Sequence, residues 1–408
     1  MVPNGWELKR LEELCSPDAP ITYGVLKPGD FYQGGIPLLQ IKDLRDGEVI
    51  TNDLHLISPA LDEEYKRSRI IKDDILISLV GTIGRIAKYR SAADANIHRN
   101  IGRIRSEMHE YLYHFLKSNQ AQNEIGGSSS GSSQSALNLS TLRSMKIPVP
   151  PYPEQKKIAQ ILSTWDKAIT TTEQLLANSQ QQKKALMQQL LTGKRRLLDK
   201  NGVRFSGEWK KVRLGSVADM NSGGTPKSNI EEYYGGNIPW VSIADMTKQG
   251  KWISSTEKYL TKLGLENSSA RIYPKNSVLY AMYASIGECS IAQVPLSSSQ
   301  AILGIRPKSD LNFEFLYFFL TSLKEKIKLQ GQQGTQSNLN AAMVKDFALY
   351  LPSMEEQQKI AAVLSTADQE ISALQQKLDA LKQEKKALMQ QLLTGKRRVT
   401  IEKKEFLN

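Results

Sequence analysis

Residues Glu154–Arg196 return as Glu356–Arg398 at a constant offset of 202 residues, without a gap and with 27 of 43 positions identical. In both copies the last fourteen residues read KKALMQQLLTGKRR. A period near 200 residues is too long for a solenoid unit, so it calls for two whole domains, each followed by the same segment. Outside that segment the halves match only as a skeleton. Trp6, Arg10, Leu11 and Leu14 answer Trp209, Arg213, Leu214 and Val217, and Gly35-Ile36-Pro37 answers Asn237-Ile238-Pro239. Shared apolar, Gly and Pro positions with divergent polar ones mean a common fold carrying different surfaces. The chain should have an internal pseudo-twofold axis. Two similar domains on a fixed spacer can read two separated sites on one polymer, and DNA is the obvious polymer.

The repeated segment is a heptad pattern. In its second copy Ile360, Ala367, Leu374, Leu381 and Leu388 recur every seven residues, while Leu364, Ile371, Leu378 and Leu392 form a second seam interrupted by Lys385. The first copy keeps Ile158, Trp165 and Leu186 on one seam and Leu162, Ile169, Leu176 and Leu190 on the other, weakened by Thr172, Ser179 and Lys183. A helix of roughly forty residues is about 60 Å long, nearly two turns of B-DNA. Gly193 and Gly395 should end the two helices, and an antiparallel pairing would set the globular domains at opposite ends of one rod.

Within the domains, Leu38 to Leu44 and Trp240 to Met246 read as strands opened by Pro, each ending in an acid, Asp43 or Asp245. Ile75 to Lys88 and Val278 to Ala292 read as hairpins in which Gly84 and Gly287 supply positive φ. Short helices follow at Tyr111 to Lys117 and Phe315 to Leu323, then polar stretches at 126–134 and 331–336 that suit loops ordering on DNA. The expected division is a domain over 1–150, a helical region over 151–200, a second domain over 201–351, a second helical region over 352–398 and a tail over 399–408. The fold class is α+β.

A formal charge of +12 and a pI near 9.4 favour an anionic partner, because clustered cations gain affinity by releasing counterions from phosphates. Cys15 and Cys289 lie 274 residues apart, which argues against a disulfide framework and fits a reducing compartment. With no run of eighteen apolar residues and no apolar signal core, the chain reads as soluble and cytoplasmic. Catalytic signatures are missing. Gly193-Lys194-Arg195 and Gly395-Lys396-Arg397 lack the rest of a phosphate loop. Pro150-Pro151-Tyr152-Pro153 resembles an adenine methyltransferase tetrapeptide, but Val149 stands where Asn or Asp is needed, so it reads as a domain exit. His55, His98, His109 and His114 all fall in the first half, on spacings that do not suit a duplicated metal site. No catalytic or metal-binding residue is assigned.

Taken together, Trp209 to Leu214-Gly215, Gly223-Gly224-Thr225-Pro226, Ile238-Pro239-Trp240, the Ile286-Gly287 hairpin, Gln336 to Leu339-Asn340, Pro352 to Glu356-Gln357, Ile360-Ala361 and the repeated Leu-Leu-Thr-Gly-Lys-Arg-Arg ending resemble the specificity (S) subunit of type I restriction-modification systems. The resemblance spans almost the whole chain and departs at the first domain, which has Thr22-Tyr23-Gly24 and Lys27-Pro28 where the second has Gly-Gly-Thr-Pro. It implies two target-recognition domains separated by two long conserved helices, in a non-catalytic subunit; a monomer within the complex is expected because the repeat supplies internally the symmetry that other proteins obtain by dimerising. By that resemblance each domain reads one half of a bipartite, asymmetric DNA target, and the helices set the gap and dock two modification (M) subunits. The M subunits would bind S-adenosylmethionine and methylate adenine N6, and restriction (R) subunits would use ATP and Mg to cleave. No cofactor is expected on this chain.

Polar groups near Gly-rich turns are the candidates for DNA contact, since Arg and Lys can fork to guanine and Asn or Gln to adenine. These are Lys27, Lys42, Arg85, Arg99, Arg103 and Gln134 in the first half, and Thr225, Lys227, Ser228, Lys248, Gln300, Gln333 and Gln336 in the second. Of Tyr280 and Tyr283, strand alternation makes one core. The candidates for partner docking on the helices are Ile158, Leu162, Trp165, Ile169, Leu186, Leu190, Ile360, Leu364, Ile371, Leu378, Leu388 and Leu392. The alternative reading is a coiled-coil interaction scaffold that does not bind DNA.

Overall fold

The computed structural model describes residues 2–45, 47–127, 136–283, 285–332 and 339–401, and the side chains of 328–332 lie outside that description. The chain divides into two compact units, Met1–Glu173 with Gln376–Asn408, and Gln174–Gln375. Four helices organise them: α1 (His109–Leu116), α2 (Tyr152–Leu190), α3 (Phe313–Gln332) and α4 (Met354–Leu392). The division falls inside both long helices. Each unit therefore combines one globular domain with the half of its own following helix and the opposite half of the other, where the sequence reading had cut between domain and helix.

The two domains share one topology. In the first unit a six-stranded sheet runs in the order Thr22–Tyr23, Ile101–Ile104, Ile75–Ser78, Ile86–Lys88, Glu48–Val49, Leu44–Arg45. In the second the order is Ala218–Ser222, Ile302–Pro307, Val278–Ala281, Cys289–Ala292, Trp252–Ile253. The expected hairpins are the centres of these sheets, with Ile75 opposite Lys88 and Val278 opposite Ile291, and Gly84 and Gly287 at φ 78° and 83°. A smaller three-stranded sheet follows the Pro-opened strand in each unit. Ile36–Leu39 lies between His55–Ile57 and Asn96–Ile97, and Tyr234–Val241 between Lys258–Leu260 and Ser297–Ser298. A final antiparallel pair joins each domain's start to its end, Glu7–Arg10 with Lys146–Val149 and Lys210–Arg213 with Ala348–Leu351. Val149 is thus a sheet residue, as the domain-exit reading requires.

Asp43 and Asp245 do not end strands. Each sits in the first turn of a short helix, Ile41–Asp43 or Ile243–Gln249, and accepts from a backbone N–H at 2.8 Å, that of Gln40 or Ser242. They satisfy the orphan donors of a helix start, which an extended reading of the segment could not anticipate.

Helices α2 and α4 run 39 residues each with neither Gly nor Pro beyond the first turn, and Gly193 and Gly395 follow at φ 70° and 68°. Their expected partner-docking stripe is largely consumed inside the chain. Ile158, Leu162 and Leu392 are buried in the core of the first unit, Leu190, Ile360 and Leu364 in that of the second, and Leu378 is buried as well. Trp165, Ile169, Leu186, Ile371 and Leu388 are half-buried. The heptad face covers the globular domain beneath it, because a domain this size buries more apolar area by recruiting a helix than by standing alone. Lys385 interrupts the seam because its ammonium is paired with Asp166.

The helix ends carry a buried ion pair that appears twice. In the first unit Glu154, 1% exposed, receives Trp6 Nε1–H at 3.1 Å and two bonds from Arg398, Nε and Nη2, at 2.7 Å each. In the second Glu356, also 1% exposed, receives Trp209 Nε1–H at 3.1 Å and Arg196 Nε and Nη2 at 2.6 and 2.8 Å. Each guanidinium also lies over the indole ring, 5.9 Å away for Arg398 and 5.6 Å for Arg196. The last arginine of each Lys-Arg-Arg run is therefore structural. The Arg after each helix pairs with the Glu that opens the other, which fixes an antiparallel course within each unit. Removing one member leaves a buried charge unpaired, so Arg196→Ala should cost about 3 kcal/mol. Chemical denaturation with hydrogen exchange should locate the loss in Gln174–Gln375.

A second tie joins domain to helix, and here the units differ. Glu110 on α1 is paired with Lys88, which is fully buried and also meets Asp73 at 3.3 Å. Its counterpart Glu314 on α3 meets Lys251 and Ser365, each at 2.8 Å. His114, with Ser163 Oγ 3.0 Å from Nε2, occupies the place of Phe318. Burial pushes His114 down to about 3, against the pull of Asp166 and with Lys385, Lys117 and Lys88 adding to the depression. A base neutral in the fold and free to protonate when unfolded contributes stability that is complete above the unfolded value of about 6.5 and lost as pH falls toward the folded one. The wild-type chain should lose roughly 2 kcal/mol between pH 7 and pH 5 through this residue. His114→Phe, read by urea denaturation at both pH values, should lack that loss.

Candidate nucleic-acid interface

In each unit the exposed candidates for DNA contact stand on the loop that leads from the large sheet into the three-stranded sheet and on turns that leave the smaller sheet. In the second unit the chain passes through the domain at Gly223-Gly224, where Gly223 N–H donates to Ile302 O and Gly224 N–H to Ser298 O. A Cβ on Gly223 would lie 2.3 Å from Ser298 O and one on Gly224 2.2 Å from the Ala270 nitrogen, so only Gly fits. The loop is held further by Trp240 Nε1–H donating to Gly224 O at 2.9 Å and by the Tyr234 hydroxyl donating to Pro226 O at 2.8 Å. Thr225, Lys227 and Ser228 emerge exposed from this anchored base. Lys248 is exposed on the helix after the sheet's central strand, and Gln300 on the turn after Ser297–Ser298, whose Ser299 N–H donates to Val241 O.

The first unit builds the same frame from different residues. Gly24 takes the anchoring role, since a Cβ there would lie 1.7 Å from Ile97 O, and Val25 N–H donates to that same carbonyl. Lys27 is exposed on the loop that follows. Arg99, exposed on the turn after Asn96–Ile97, has its N–H on Val25 O, and Lys42 is exposed in the turn after the central strand Ile36–Leu39. Lys27, Lys42 and Arg99 thus stand on the same three segments as Lys227, Lys248 and Gln300, respectively. Among the described residues, none of the five cations makes an ion pair. Unpaired cations on rigid, exposed turns are the arrangement that attracts a phosphate backbone.

Other candidates are placed elsewhere. Arg103 is buried, with Nη2 on Pro20 O at 3.0 Å and Nη1 on Arg69 O at 3.3 Å, and Arg85 Nη1 donates to Leu44 O at 2.8 Å. Both guanidiniums serve carbonyls that the sheets leave unpaired, so they are structural groups. Tyr280 is the core member of its pair and Tyr283 is exposed. Gln134, Gln333 and Gln336 lie outside the described residues. Asp73, His109 and Glu110 bring three possible ligand atoms together, but the Lys88 ammonium already supplies the cation for both carboxylates.

The fourteen identical residues ending each repeat also contribute to a groove in each unit. In the first unit a groove of about 890 Å³ is lined by Asp166, Ile169, Lys385, Lys386, Met389 and Leu393. In the second a groove of about 950 Å³ is lined by Asp368, Ile371, Lys183, Lys184, Met187 and Leu191. These are the same six positions of the repeat. The signal in the sequence was the unbroken identity of KKALMQQLL on both faces of the helix, where a seam alone would have kept only every third or fourth residue.

Comparison with known proteins gives a consistent family. A family model described as "Type I restriction modification DNA specificity domain" matches twice, over residues 3–178 and 206–383. The chain is 36% identical over 164 residues to the type I restriction enzyme EcoBI specificity subunit of Escherichia coli, a match covering 39% of this chain and 35% of that protein. It is 25% identical over 414 residues to the putative type I restriction enzyme MjaX specificity subunit of Methanocaldococcus jannaschii, covering 98% and 95%. The match thus spans about a third of the first relative and nearly all of the second. In fold it is similar to a type I restriction-modification system S subunit from M. genitalium, with a TM-score of 0.58 at 15% identity over 98% of this chain and 99% of that one. A chain from a structure of the assembly and conformational transition of the type I R-M system also gives 0.58, at 21% identity over 97% and 100%. With two family domains that together cover most of its length, the chain belongs to the type I restriction-modification DNA specificity family.

Proposed function

We propose that this chain is the DNA sequence-specificity subunit of a type I restriction-modification complex, in which each unit reads one half of a bipartite target. The observation that carries this reading is the duplicated frame: in both units a Gly-anchored loop and two neighbouring turns off one small sheet present Lys27, Lys42 and Arg99, or Lys227, Lys248 and Gln300, and among the described residues none of the five cations makes an ion pair. Their divergence within a shared scaffold suits two different half-sites, since phosphate contacts position a protein while base contacts specify the sequence.

The equivalent grooves on the two long helices support the docking of two modification subunits, one per unit, because helix positions kept identical while the loops diverge suit a partner presented twice. On this reading the chain is not itself an enzyme. Methylation of adenine N6 with S-adenosylmethionine, and cleavage with ATP and Mg, belong to the modification and restriction subunits of a cytoplasmic complex. Among the described residues, no helix is long and apolar enough to cross a membrane.

Co-expression with the neighbouring modification subunit in a host without N6-methyladenine, followed by single-molecule mapping of the modified base, should return one split, gapped, asymmetric motif. Lys227→Ala should change or relax one half of that motif and leave the other half and the co-purified complex intact, at a cost of about 1 to 3 kcal/mol if the contact is to a base. A stable complex that methylates nothing would favour the scaffold reading instead.

A further inference from the structure

The loop between Gly24 and the Pro-opened strand of the first unit carries two adjacent aromatic rings in solvent. Phe31 is 61% exposed and Tyr32 50%, with Leu26 on the same loop also exposed. The rings are held firmly at their base. Tyr32 N–H donates to Leu56 O at 2.9 Å, Gly35 N–H donates to Tyr32 O at 3.0 Å, and Phe31 packs edge-on against His55 with centroids 6.2 Å apart. A Cβ on Gly35 would lie 2.1 Å from Ile57 O, so the loop returns to the sheet at a fixed point.

The other unit shows what such a pair does when it has an internal partner. At the same distance before the shared Ile-Pro stand Tyr233 and Tyr234. Tyr234 is half-buried, bonded to Pro226 O and packed edge-on against Trp240 at 6.4 Å. The first unit has Leu38 where the second has Trp240, and the Tyr32 hydroxyl has no bond among the described contacts. Phe31 and Tyr32 thus keep the position of the pair and lose its cover.

We propose that Phe31 and Tyr32 form an apolar finger that contacts the bases of the first half-site, giving that half a shape- and methyl-sensitive component of recognition. This rests on the reading of the chain as a DNA-specificity subunit. The occupant follows from continuity and charge. The finger lies on the loop that carries Lys27, and that loop is bonded through Val25 to the Arg99 turn, so the anchored segment that presents the rings also presents two cations that make no ion pair among the described residues, with Asp30 the one carboxylate on the loop. A duplex whose phosphates meet Lys27 and Arg99 brings base edges and thymine methyls to rings that stand at least half exposed.

The test uses the complex with its modification subunits and duplexes carrying both mapped half-sites, or either alone with the other scrambled. Phe31→Ala with Tyr32→Ala should weaken binding by about ten- to a hundredfold on duplexes containing the first half-site. It should leave the dependence of affinity on salt unchanged and spare the duplex carrying only the second. Phe31→Leu with Tyr32→Leu, which keeps apolar bulk without rings, should recover part of the loss. Unchanged melting temperatures show that the variants fold. Equal affinity of the alanine variant and wild type for the first half-site would overturn the inference, as would a loss accompanied by a flatter salt dependence. Absence of sequence-dependent binding by the wild-type complex would instead overturn the functional reading beneath it.

Discussion

Glu154 and Glu356 each hold a carboxylate with almost no access to water, a state that is stable only because both oxygens are answered by charge-matched donors. An indole N–H and a bidentate guanidinium answer them in each unit, and those donors come from segments far apart in sequence. Trp6, Glu154 and Arg398 bring together the start of the first domain, the start of α2 and the residues after α4. Trp209, Glu356 and Arg196 do the same for the second unit with the roles of the helices exchanged. Register along α2 and α4 follows from these fixed points, and so does the burial of Ile158, Leu162 and Leu392 in one core and Leu190, Ile360 and Leu364 in the other. A charge that cannot be left unpaired specifies an arrangement more strictly than apolar contact does.

Between the clamps and the exposed turns, the two units solve the same problems with different residues. The acid on the domain helix, Glu110 or Glu314, is neutralised by a lysine from a strand in one unit and from the segment preceding a strand in the other, Lys88 or Lys251. The loop that presents candidate DNA contacts is anchored by one glycine in the first unit and two in the second. The physical requirement is retained while its sequence position drifts, which lets duplicated domains diverge at the surface without losing their frame.

Much of this was legible in the sequence, and the exceptions have causes. The gapless repeat gave two domains and two helices of the right length, because identity at a fixed offset needs no propensity argument. The central hairpins followed from apolar runs around Gly84 and Gly287. The fate of the heptad stripe did not follow, since periodicity shows that a face is covered and not what covers it. Asp43 and Asp245 misread as strand ends because a capping acid and a strand-terminal acid look alike without geometry. Arg85 and Arg103 read as DNA contacts from sequence because it does not show whether a guanidinium near a Gly-rich turn meets solvent or a carbonyl. Lys27, Lys42, Arg99, Thr225, Lys227, Ser228, Lys248 and Gln300 all stand exposed on or beside the small sheets. The Gly24 anchor was hidden by the departure from Gly-Gly-Thr-Pro, although its close approach to Ile97 O does the same work.

The claim at the centre of this account is that each unit meets its own half of the DNA target, and site-specific photocrosslinking tests it most directly. A photoreactive residue at position 27 or position 227, in the complex bound to a duplex carrying the whole motif, should cross-link to bases in opposite halves of the target. Cross-links from both positions to the same half, or from neither to DNA, would contradict the account.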